Sequence, residues 1–191
     1  MNIALIAGHH RAFWYHWRDT GALPSTNVRH RIDLKYPDEP IINEHHEAEK
    51  LALRAGYQYD GTGKILICPF IYDLYQKKKW IEKNNIDWVV SIHLNSDRYK
   101  SEHSNGFEIW VNHADIDSRI NAQKACRIAS DTLGMVNRGV KYSSKLYILH
   151  TQAHELLLEM GFINNPDDMI KMRERGVQAI IDVMKHISIN S

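Results

Sequence analysis

Trp88-Val89-Val90-Ser91-Ile92-His93-Leu94-Asn95 reads as a β-strand whose carboxyl end is polar. A period of two puts Ser91, His93 and Asn95 on one face and Val90, Ile92 and Leu94 on the other. A histidine between two short polar groups is not packed as a core residue would be. Two further apolar runs end alike: Ile3 to Ala7 leads into Gly8-His9, and Leu156 to Leu158 into Glu159. Ligands of open α/β sheets collect outside the carboxyl ends of the strands, so these three ends can bring His9, His93 and Glu159 to one site.

Outward from that strand, β-like and helix-like segments alternate, the pattern of an α/β fold. Residues 2 to 7 form the first strand. Residues 10 to 43 are polar and aromatic, with Phe13, Trp14, Tyr15, Trp17 and three prolines, and a stretch so long without periodicity points to function more than to filler. A helix is expected from Asn43 to about Gln58. A Gly61-x-Gly63 turn and the apolar run Ile65 to Ile67 follow, then a helix from Tyr72 to Asn84 that is lysine-rich on one side. Gly106 to Val111 is another strand, and Asp117 to Leu133 a helix stopped by Gly134. Leu146 to Leu149 and Glu155 to Met160 are strand candidates. The last helix has Asn165 as its cap, Pro166 at its first position and Asp167 and Asp168 where the dipole favours acids, with Gly176 as a point of division.

Composition bounds the function classes. A chain of 191 residues with 43% hydrophobic and 25% charged residues suits one core and one domain, residues 1–191. Its net charge of +1 gives no basic field for nucleic acid. Cys68 and Cys126 are too few for a disulfide framework and read as buried reduced thiols. No apolar stretch approaches a membrane span, and the opening run is cut by Gly8 and two histidines, unlike a signal peptide. Synthesis in the cytoplasm is therefore expected.

Each candidate has a plain alternative. The chain has twelve histidines, most of which must be surface or hydrogen-bonded groups, so neither His9 nor His93 stands out alone. The helix after Asn43 offers Glu44 and Glu47. At about 100° per residue, Ala48, Leu51, Ala52, Ala55 and Tyr59 define its apolar face, with Glu44 roughly 35° and Glu47 roughly 95° from the centre. Glu44 thus points inward, which is costly unless it is paired or metal-bound, whereas Glu47 can sit at the boundary in water. The alternative is that Glu44 only complements the helix N-terminus, and His45 and His46 are also at hand. Glu159 follows three leucines. In a central strand it would be poorly solvated and raised toward the pKa of a useful general base; in an edge strand it would be an exposed carboxylate. His154-Glu155 fails as a zinc-protease motif because Leu158 stands at the second histidine position, and Gly61-Thr62-Gly63-Lys64 fails as a phosphate loop because Gln58 stands where a glycine is needed.

Five segments resemble, in order and approximate spacing, the zinc-dependent N-acetylmuramoyl-L-alanine amidases: Ile6-Ala7-Gly8-His9, Asn43-Glu44, Ser91-Ile92-His93-Leu94-Asn95, Asn137-Arg138-Gly139-Val140-Lys141, and Leu157 through Pro166. The run Asn137 to Leu149 is especially similar to the catalytic domains of clostridial phage endolysins. The resemblance implies one α/β domain with a mixed, mainly parallel sheet between helices. It implies Zn²⁺ bound by His9, Glu44 and His93, with Glu159 as the catalytic residue. It also implies peptidoglycan as substrate, cut between N-acetylmuramic acid and L-alanine, in an endolysin or autolysin that meets the wall after release. A zinc peptidase cutting within the stem peptide and a non-catalytic wall-binding module are the rival readings. Departures are His10 after the first histidine, and residues 10 to 43, an insertion expected to shape the groove, cover it or mediate self-association. No separate wall-binding domain is expected within the chain. Arg138 and Lys141 are read as structural or surface charges.

Overall fold

The computed structural model describes residues 1–9, 22–41, 43–97 and 102–189. In chain order its elements are β1 (Asn2–Ala7), α1 (Thr26–Lys35), α2 (Glu44–Gln58), β2 (Lys64–Ile67), α3 (Leu74–Lys83), β3 (Trp88–Asn95), β4 (Phe107–Val111), α4 (Ile116–Leu133), β5 (Asn137–Tyr142), β6 (His154–Phe162) and α5 (Pro166–Ile189). The strands make one six-stranded sheet in the order β2-β1-β3-β6-β4-β5. Every neighbouring pair is parallel except β4 with β6.

Helices on both faces explain why the central strands are nearly continuous apolar runs. Ile3, Leu5, Val90, Ile92, Leu156 and Leu158 pack with α2, α4 and α5. Alternate residues Ala4, Ile6, Val89 and Leu157 face the other way, against Ile81 of α3 and the Ile148-Leu149 pair. From β1 the chain crosses by α2 to β2, then returns by α3, on the opposite face, to β3 on the other side of β1. Such a reversal leaves a crevice between the carboxyl ends of the two strands, here β1 and β3.

Several expectations are corrected. Within residues 10 to 43, Phe13, Trp14, Tyr15, Trp17 and His10 lie outside the described residues, but Thr26–Lys35 is a helix. Ser25 caps it by accepting from the Val28 amide, and it buries only Val28 and Ile32, too few apolar positions to make a periodic signal. The Leu146 to Leu149 run is not a strand: Tyr147–Leu149 is a 3₁₀ turn that lays Ile148 and Leu149 on the face of the sheet. Asn137–Tyr142, read only as a motif, is the edge strand β5; it is mostly polar, and a bulge at Arg138-Gly139 breaks its alternation. Gly176 does not divide α5. A Cβ there would meet Leu51 Cδ2 at 3.0 Å, so the glycine serves close packing of α5 on α2.

At the amino end of β6, the Glu155 carboxyl is buried, accepts from the Thr151 hydroxyl, and is pushed up to about 8 chiefly by that burial. The unfolded chain releases this proton near 4.5 and the folded chain holds it to about 8, so stability falls as pH rises through that window. Glu155→Gln should therefore flatten the pH dependence of urea unfolding, recovering on the order of a few kcal/mol at pH 8 relative to pH 5. Parallel pH profiles of the two proteins would argue against a buried neutral carboxyl.

Candidate functional site

Gly8 alone separates His9 from the end of β1, where the chain leaves the sheet after a last Gly8 N to Ile92 O hydrogen bond of 2.7 Å. Gly8 is required by proximity: a Cβ on it would lie 2.5 Å from the His93 ring. His9 itself has a left-handed backbone, φ 58°, which turns its ring back over the sheet edge. His93 projects from β3 and is in register with Glu159 of β6, so the two share one sheet face. Glu44 opens α2. Asn43 caps that helix by accepting from the His46 amide at 2.9 Å, and the cap sets Glu44 on the inward side, 4% exposed.

The three side chains converge on Glu44 Oε1, which lies 3.3 Å from His9 Nε2 and 3.1 Å from His93 Nδ1. One ligand atom from each of His9, Glu44 and His93 falls within 4.8 Å of the others, and no other such group of three occurs among the described residues. The Leu94 amide donates to Oε1 and the Ala22 amide to Oε2, so the carboxylate is held at both oxygens. Burial opposes its ionisation, but the hydrogen bonds with His9 and His93 outweigh that and hold the carboxyl well below the ordinary range. Two imidazoles and an ionised carboxylate fit a catalytic zinc, which keeps a coordination position open.

Glu159 lines the same cleft, of about 500 Å³, with His9, Glu44, His93, Asn95 and Glu108. Its strand is central. Its Oε2 is buried without a hydrogen-bond partner among the described residues, and its pKa is pushed up to about 8, first by burial and then by the charges of Glu44 and Glu108. The arrangement can hold a cation at one side of the cleft and move a proton at the other.

Glu47 is not at the boundary in water. It is 2% exposed and bound in parallel by Arg173 of α5, Nη2 at 2.6 Å and Nε at 3.0 Å, so it stands apart from the cleft in a buried ion pair. Among residues the sequence did not single out, Glu108 is the register partner of Glu159 on β4. It accepts from Asn95 and Trp110 on one oxygen and from Arg138 on the other at 2.8 Å. A period of two within Gly106 to Val111 would have put Glu108 and Trp110 on one face, but only the register shows that this face is Glu159's. Arg138, whose guanidinium also lies 4.9 Å from the Phe162 ring centre, thus holds Glu108 from outside the residues that line the cleft.

Residues 53–187 match the family described as N-acetylmuramoyl-L-alanine amidase. His93 and Glu159 fall inside that span, while His9 and Glu44 precede it. An uncharacterized protein of Clostridium perfringens (strain 13 / Type A) is 32% identical over 114 residues, 59% of this chain; the match spans about a third (34%) of that relative's length. Among solved structures, the catalytic domain of CwlV, an N-acetylmuramoyl-L-alanine amidase from Bacillus (Paenibacillus) polymyxa var. colistinus, is similar with a TM-score of 0.75 at 21% identity, covering 98% of both chains. The catalytic domain of the CD27L endolysin, which targets Clostridia difficile, is similar at 0.70 and 20% identity, covering 100% of this chain and 98% of that one. At such identities the likeness is one of fold.

Proposed function

Because the chain belongs to the N-acetylmuramoyl-L-alanine amidase family, we propose that it hydrolyses the amide between the lactyl group of N-acetylmuramic acid and L-alanine of the peptidoglycan stem peptide. In this reading His9, Glu44 and His93 hold one Zn²⁺ and Glu159 is the general base. The observation that carries it is the convergence of His9 Nε2, Glu44 Oε1 and His93 Nδ1 beside the partnerless Glu159 oxygen. When bound, the zinc supplies Lewis-acid chemistry, polarising the scissile carbonyl, acidifying a water and drawing Glu159 back toward its carboxylate form.

The protein's own groups do the rest. Glu159 takes a proton from the attacking water and returns it to the departing amine, a transfer that suits a carboxyl whose surroundings have raised its proton affinity. Asn95 and Glu108 line the same cleft and offer a polar wall to the peptide. The setting is wall degradation by an endolysin or autolysin that reaches peptidoglycan after release. No helix among the described residues is long and apolar enough to cross a membrane.

Digestion of purified walls, with the new chain ends identified by mass spectrometry, tests the reading. Free L-alanine amines on released peptides, intact glycan strands, and loss of activity in chelator are the expected results. New amines on another stem residue would make the enzyme a peptidase, and no digestion by zinc-loaded protein would leave only a binding module.

A further inference from the structure

We propose that Lys77 is a positioning residue for the metal site, fixing the turn that carries His9; this rests on the reading of His9 as a zinc ligand. In the lysine run 77–79 of α3, Lys78 lies over the Tyr147 ring and Lys79 over the Tyr75 ring, as solvated charges do. Lys77 is 2% exposed. Its Nζ donates to the Ala7 carbonyl at 2.9 Å and to the His9 carbonyl, the two oxygens either side of Gly8.

The turn needs such a partner. After the Gly8 amide bonds to Ile92, the chain leaves the sheet, and His9 takes a left-handed backbone that side-chain-bearing residues rarely adopt. The carbonyls of residues 7 and 9 then point toward α3, where an apolar side chain would leave buried acceptors without that donor. The remaining carbonyl, Gly8 O, lies 2.8 Å from Nδ1 of His45, the neighbour of Glu44 on α2. Three consecutive carbonyls are therefore held by side chains from the two helices that flank β1 on opposite faces. The contact works in both directions, because a buried ammonium is itself tolerable only with acceptors around it. Asp73 and Gln76, which close the first turn of α3 in a reciprocal capping pair, fix the helix from which Lys77 reaches. Residues standing behind a metal ligand and orienting it typically change affinity about 10- to 100-fold when lost.

The test is a zinc titration against a chromophoric competitor chelator, with thermal unfolding of the metal-free proteins alongside. Lys77→Met is expected to weaken zinc binding about 10- to 100-fold while the metal-free variant still unfolds cooperatively. Lys77→Arg should recover most of the affinity, since guanidinium also offers several donors at similar reach, and Lys78→Met should match the parent. Should Lys77→Met fail to fold, Lys77→Gln decides, with an intermediate loss expected from its shorter, neutral donor. Parent-like zinc affinity in Lys77→Met or, failing that, in Lys77→Gln overturns the proposal, as does an equal loss in Lys78→Met. A parent that binds zinc but releases no L-alanine amines sinks the amidase reading and leaves Lys77 standing. A parent that takes up no zinc overturns both.

Discussion

Glu159→Gln is expected to lower the rate of wall hydrolysis about 10²- to 10⁴-fold while zinc content stays at the level of the parent protein. Glutamine keeps the shape of the side chain and removes its capacity to carry the proton. The proposed ligand set is untouched, because Glu44 and not Glu159 is the carboxylate between the two imidazoles. Misfolding can be separated from lost chemistry by the sign of the stability change. The folded protein holds the Glu159 proton to about 8 against an ordinary 4.5, so in metal-free protein this carboxyl costs increasing stability as pH rises through that window. The glutamine variant should thus be at least as stable as the parent at pH 8 when both are stripped of metal. A variant that digests walls at the parental rate would show that the base is another group, with Glu108, its register partner, the first to examine.

What could be read from the chain follows from how a buried parallel sheet is built. Strands covered on both faces are apolar at nearly every position, so Ser91, His93 and Glu159 are conspicuous exceptions in β3 and β6. That made the central strands and the cleft at their carboxyl ends legible. Edge and surface elements were not. β5 is half-solvated and bulged, and α1 buries a single apolar pair, so neither carries a period. Long-range partners are invisible to any local pattern. The angle that put Glu47 at the border of its helix was sound, but Arg173 arrives from α5, and Arg54 and Lys50 crowd the same side around Glu39. Lys77 is another case: its sequence neighbours are surface lysines, and only the packing of α3 against the β1 turn sets it apart.

Glu44 and Glu47 offer the sharpest contrast, since one helix turn presents two buried carboxylates that should fail in opposite ways. Glu44→Ala removes the shared acceptor of His9 and His93, and zinc affinity should fall by more than the roughly 10- to 100-fold typical of losing a group behind a ligand. Its cost to folding should be smaller, because the groups that lose an acceptor, the His9 and His93 rings and the Leu94 and Ala22 amides, all line the cleft, where water can reach them. Glu47→Ala strands the Arg173 guanidinium, 7% exposed, without its carboxylate, a change that costs about 3–5 kcal/mol when a buried pair loses one member. Arg173 retains the Glu39 carbonyl at 2.7 Å and the Tyr36 ring face, so the lower end of that range is expected. Zinc affinity of Glu47→Ala should stay near the parent's, because neither carboxylate oxygen faces the cleft. Urea unfolding of the metal-free proteins, paired with chelator competition, separates the two effects. If Glu47→Ala proved to be the variant that loses zinc, the inward face of α2 would have been assigned to the wrong carboxylate and the three-residue site would have to be redrawn.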